Sequence, residues 1–139
     1  MTGLAGSGIV LASNSASRKA MLNAAGIAFE AQAADIDERA LEMEMMDAEP
    51  AEIAQALAAA KASAVASERP GELVLGSDSL VEVGGQRFDK PASRADAAEH
   101  LRFFSGKVMT LHSAAALARG DRVCWVGSDF ARLRFRELS

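Results

Sequence analysis

The sequence predicts an α/β protein built on a mixed β-sheet. Three observations carry that prediction. Short apolar runs alternate with helix-patterned stretches through the first part of the chain, as strand–helix–strand units require. An alanine-rich stretch from about Pro50 to Ser67 repeats apolar residues at helical spacing. Two long strand-like runs, Val108 to Leu117 and Val123 to Phe135, then close the chain as a hairpin around Arg119-Gly120-Asp121.

Taken in order, Ile9 to Ala12 reads as the first strand, stopping at small hydroxyl residues. A helix over Ser17 to Ala25 starts at once, and Gly26 stands where a C-terminal glycine cap belongs. Ala28 to Ala33 is the next strand. Asp35-Ile36-Asp37-Glu38 reads as a loop with three carboxylates, and Glu42 to Asp47 as an acidic, Met-rich segment that is either mobile or a helical turn. Pro50 suits the first turn of the long helix, where its missing N–H costs nothing. Ile53, Leu57, Ala60 and Ala64 share one face of it, and Arg69-Pro70-Gly71 ends it. Leu73 to Asp78 is a continuous apolar run ending in an acid, the mark of a buried strand, and Leu80 to Val83 continues extended. Gly84-Gly85 signals a hairpin and Asp89-Lys90-Pro91 a polar loop. Ser93 and Asp96 have capping-box spacing at the start of a helix reaching Phe104, with Ala97, Leu101 and Phe104 on one face.

The 139 residues suit one domain, and half of them are hydrophobic, enough to fill a core. The net charge of −4, without a basic block, argues against a nucleic-acid duplex as partner. No segment approaches the length of a membrane span or has the make-up of a signal peptide. The one cysteine, Cys124, excludes an internal disulfide and suits a reducing cytoplasm. It sits in an apolar run and reads as a small core residue.

The chemistry-bearing residues fall into a few groups. Ser13, Ser15, Ser17 and Arg18 crowd a strand-to-helix junction. Unpaired N–H groups and a partial positive charge at a helix start favour phosphate, although a plain Ser cap accounts for the hydroxyls as well. Asp78, at the end of a strand buried on both faces, is costly unless paired or functional. Glu38 and its neighbouring acids are oxygen donors for Mg²⁺, which favours one or two carboxylates plus substrate phosphates. Lys61 and Lys90 are candidate phosphate cations or ordinary surface lysines. His100 reads as a solvated helix residue and His112 as structural. Together these types suit a metal–triphosphate ligand, with a carboxylate deprotonating water for attack on phosphorus.

Five separated pieces, LASNSASRKAML, AGIAFEAQAADIDE, AAAKASAVA, LVLGSDSLVEVGGQRFDKP and ADAAEHLRFFSGKVMTLHSAAAL, occur in the order of one family. The chain resembles the Maf family, the septum-formation-inhibitor-like nucleoside triphosphate pyrophosphatases, from about Ile9 to Leu117. The resemblance implies an elongated mixed sheet flanked by helices around a central cleft, the Maf/ITPase-like arrangement, often as a homodimer. It implies hydrolysis of a nucleoside triphosphate to the monophosphate and pyrophosphate with a divalent cation such as Mg²⁺, Mn²⁺ or Co²⁺, and a link to division arrest. By the same resemblance Ser13, Ser15, Arg18, Lys61 and Lys90 hold phosphates, Glu38 and Asp78 hold metal, and Asp78 accepts the proton.

Ser17 and Ser79 stand where relatives are thought to read the base, and Met109 replaces a histidine. Arginine at the position of Ser17 goes with dTTP and UTP in the family, and tryptophan with 7-methyl-GTP. Met109 resembles the methyl-GTP branch weakly. Family members continue past a segment like RFRELS, so residues 1–139 read as one Maf-like domain shortened at its C-terminus. The alternative to an enzyme is a shortened, catalytically impaired nucleotide-binding or division-related module.

Overall fold

A computed structural model describes residues 8–88 and 92–137. Its elements are β1 (Ile9–Leu11), α1 (Ala16–Ala24), β2 (Phe29–Ala31), α2 (Glu38–Glu44), α3 (Pro50–Glu68), β3 (Val74–Val83), β4 (Gln86–Phe88), α4 (Arg94–Phe104), β5 (Val108–Arg119) and β6 (Arg122–Arg134). The mixed sheet expected from the sequence is present. Its order is β2-β1-β3-β5-β6, with β4 beside β3. β1 runs parallel to β2 and β3, and β5 runs antiparallel to β3 and β6. Glu38, read as the end of a loop, instead opens a helix that runs into the segment read as mobile or a helical turn. The Asp37 carboxylate accepts from the Ala40 N–H at 3.0 Å and caps α2, so Glu38 is its first residue.

The core lies between α3 and the β3–β5 sheet. Ile53, Ala54, Leu57, Ala58, Ala62, Val65 and Ala66 are buried along α3, against Val74, Ala114, Ala116 and Ala118. Ala60 and Ala64, expected on this face, are only half-buried. The seam is displaced because Gly76 lets the helix sit on the strand. A Cβ there would lie 2.1 Å from the Ala58 carbonyl oxygen and 2.8 Å from the Ala62 nitrogen. Small residues on both sides bring the backbones together and seat Lys61, between Ala58 and Ala62, over the middle of β3. The far end of α3 is tied to the parallel strands by Arg69, which pairs with Glu30 of β2 and with Glu72.

Two expectations are overturned here. Asp78 is not at a strand end: β3 runs straight through it to Val83, with Asp78 opposite Ala114 of β5. Extension continues because β3 turns directly into β4 at Gly84-Gly85, both at positive φ. Cys124 is exposed, not a core residue. It lies on β6, an edge strand with one sheet neighbour, and no described element covers that edge.

Candidate active site

β1 ends at Leu11, and the backbone then folds around its own hydroxyls. The Ser13 hydroxyl accepts from the Ser15 N–H at 3.0 Å, and the Ser15 hydroxyl accepts from the Arg18 N–H at 3.3 Å, capping α1. Ser15 and Ser17 hydroxyls stand 3.2 Å apart. The junction is therefore a cap, and it also leaves a cation free. Arg18 reaches only the Ser13 hydroxyl, at 3.5 Å, and has no carboxylate partner among the described residues. A guanidinium at a helix N-terminus, with no carboxylate partner among the described residues, has the charge and geometry that suit an anion.

A second cluster lies beside it. The Lys61 ammonium donates to Asp78 Oδ1 at 2.8 Å and stands 3.3 Å from Glu38 Oε1. Three elements, α2, α3 and β3, each contribute one charge. Asp78 is only 7% exposed, and its second oxygen, Oδ2, is buried without a hydrogen-bond partner. Burial pushes the Asp78 carboxyl above the ordinary carboxylate range. Lys61 and Arg18 pull it back, and Glu38 pushes it up further. A buried carboxylate with a shifted proton affinity and an unsatisfied oxygen is a functional-site signature.

Two cavities flank the junction. A polar notch of about 130 Å³ is lined by Ser13, Asn14, Glu38 and Lys61. A larger cavity of about 700 Å³ is bordered by Ser15, Ser17 and Arg18, and also by Ser79, Phe88, His100, Phe104 and Met109. Ser13, Ser15, Arg18, Glu38, Lys61 and Asp78, separated in sequence, are thus gathered at one place. Ser17 and Ser79 both border the larger cavity. Lys90 lies outside the described residues.

Sequence reasoning missed the aromatic wall. His100, expected to be solvated, has a side chain only 19% exposed, packed between Phe88 and Phe104. Phe104 follows one helical turn later on the same face of α4, the one signal that placed His100 toward the interior. Asp35 and Asp37 do not join the site. Among the described residues no three His, Cys, Asp or Glu side chains form a metal-binding group. Two carboxylates, Glu38 and Asp78, do share the Lys61 ammonium. The orphaned Oδ2 of Asp78 makes them a fitting donor pair for a hard divalent cation completed by phosphate oxygens.

A mixed α/β sheet with a charged notch and a larger cavity at one strand–helix junction places this chain among the α/β proteins that gather polar side chains at such a junction. Comparison with known proteins narrows it. The family model described as Maf-like protein matches residues 8–139. The chain is 47% identical over 133 residues to a 7-methyl-GTP pyrophosphatase of Rhizobium meliloti, covering 94% of this chain and 67% of that protein. It is 45% identical over 131 residues to a nucleoside triphosphate pyrophosphatase of Rhodopseudomonas palustris, covering 94% of this chain and 65% of the relative. A 7-methyl-GTP pyrophosphatase of Mesorhizobium japonicum is 46% identical over 132 residues, with 94% and 66% covered. The chain belongs to the Maf-like family, and it spans about two thirds of the length of these curated relatives.

Proposed function

We propose that this protein is a nucleoside triphosphate pyrophosphatase, a hydrolase of acid anhydrides that converts a nucleoside triphosphate and water to the monophosphate and pyrophosphate. The observation that carries this reading is Asp78: buried, half-satisfied, and joined to Lys61 and Glu38 beside the free Arg18. In the proposed reaction Arg18, Lys61 and the N-terminus of α1 bind the phosphates, with Ser13, Ser15 and Lys90 as further phosphate ligands. Asp78 accepts the proton of the attacking water, and the bridge between the α- and β-phosphates breaks, with its electron pair leaving on pyrophosphate. The raised proton affinity of Asp78 makes it a better base than an exposed carboxylate. Glu38 and Asp78 would hold a divalent cation, which when bound neutralises phosphate charge as a Lewis acid.

The names of the relatives favour nucleotide triphosphates as the substrate class. Ser17 and Ser79, on the wall of the larger cavity, are proposed to help select the base. The same reading includes a homodimer in the cytoplasm. The exposed edge at β6 and the single, unpaired Cys124 support it.

The test is pyrophosphate release with Mg²⁺ or Mn²⁺ across dTTP, UTP, CTP, GTP and 7-methyl-GTP. Asp78→Asn is expected to lose at least about a hundredfold in kcat, the lower end for a lost general base. Near-normal turnover by the folded variant removes that role from Asp78. Tight calorimetric binding of a triphosphate, with no turnover by wild type across the panel, favours a binding module over an enzyme.

A further inference from the structure

We propose that His100 reads the nucleobase, at the aromatic end of the larger cavity. This rests on the nucleotide reading of the site. The 700 Å³ space has two chemically distinct walls. Ser15, Ser17 and Arg18 form a wall that takes negative charge. Apart from Ser79 and Ser113, the rest of the lining is largely apolar and aromatic, with Phe88, Phe104, Met109 and Leu111. A ligand filling both walls is anionic at one end and flat or apolar at the other.

Among the described residues of the apolar wall His100 is the one titratable side chain. Its ring is held on two sides. It meets Phe88 edge-on at 5.0 Å and 77°, and lies tilted against Phe104 at 5.9 Å and 32°. Phe88 and Phe104 meet edge-on at 4.9 Å. Three rings packed in this way leave the imidazole little freedom to turn. Among the described residues the imidazole nevertheless makes no hydrogen bond. The Asp96 carboxylate is 3.6 Å from Nε2, beyond hydrogen-bond distance, and no described residue bonds to Nδ1. A fixed, half-buried imidazole whose Nδ1 no described residue satisfies, in a cavity also bordered by Arg18, matches the polar edge of a planar heterocycle. The ring supplies orientation, and a nitrogen supplies the contact that differs from base to base. A site built to hydrogen-bond one edge rejects analogues that lack it.

Calorimetric binding by the whole chain tests this, with inorganic tripolyphosphate and the five nucleoside triphosphates as probes. His100→Phe keeps the ring and removes both nitrogens. His100→Asn keeps a hydrogen-bonding group near Nδ1 and guards against a packing artefact. Wild type is expected to bind its preferred nucleotide at least about tenfold more tightly than the poorest, the worth of one good hydrogen bond. His100→Phe is expected to erase that preference, His100→Asn to keep part of it, and neither to alter tripolyphosphate affinity. A His100→Phe protein that preserves the wild-type ranking of bases overturns the role of His100 and leaves the nucleotide reading standing. Wild type that binds no nucleotide more tightly than tripolyphosphate also overturns it, since no base is then read. The hydrolytic reading fails separately, if no pyrophosphate is released.

Discussion

Asp78 and Lys61 show what a single residue does in this site. In the metal-free protein the Asp78 carboxyl keeps its proton to higher pH in the fold than in the unfolded chain. The folded state therefore binds that proton more tightly. The stability it contributes is present in acid, below the unfolded value, and is lost as pH rises through the raised folded value. Urea unfolding across that window should show a decline in wild type that Asp78→Asn lacks. Identical pH profiles for the two proteins would contradict the raised proton affinity. Lys61→Met removes the cation that bridges Asp78 and Glu38. It should cost about 2 kcal/mol, less than a fully buried pair, because Glu38 is half exposed and Asp78 can take up a proton. Adding Asp78→Asn to Lys61→Met should recover part of that loss, a coupling readable by a double-mutant cycle.

At the scale of elements, the contact between α3 and β3 decides whether the site exists. Lys61 reaches Asp78 because the helix lies against the strand at Gly76, where no Cβ fits beneath Ala58 and Ala62. Gly76→Ala must push the helix outward, since the nearest atoms are backbone and cannot rotate away. We expect a loss of about 3 kcal/mol in unfolding free energy, the upper end for overpacking. Turnover should fall as well, through the lengthened Lys61–Asp78 contact. Wild-type stability and activity in Gly76→Ala would show that the helix is not seated there. The Ser13–Arg18 junction is a second element-scale device. Its hydroxyls accept from the Ser15 and Arg18 N–H groups in capping α1, which leaves the Arg18 guanidinium, bonded only to Ser13 among the described residues, as the group that can take an anion.

At the scale of the molecule, β6 is the unusual feature. It is thirteen residues long, pairs only with β5, and is exposed almost throughout. Trp125 at 53% and Leu133 at 54% exposure lie on the face shared with Met109 and Leu117 of β5. Phe130, at 55%, lies on the face shared with His112. A long edge strand with apolar side chains on both faces is a template for pairing with another chain. This 139-residue chain is expected to self-associate in sedimentation at micromolar concentrations, and Trp125→Lys with Leu133→Lys to shift it toward monomer. A monomeric wild type would leave that edge without a role in assembly.

The sequence by itself determined what local periodicity and turn chemistry encode. Apart from α2, whose first residue reads as loop, the order of strands and helices, the glycine hairpin before β4 and the serine cap of α4 follow from neighbouring residues, so they were legible along the chain. The site residues other than His100 were legible as types at suggestive places and through family resemblance. Their meeting was not. Lys61 and Asp78 are seventeen positions apart and on different elements, so only the seating of α3 on the sheet at Gly76 creates their contact. Tertiary structure alone also decided that His100 faces a cavity and that Cys124 faces out. Burial depends on which elements cover a residue, and an apolar run such as Val123 to Trp125 reads the same in a core strand as in an uncovered edge.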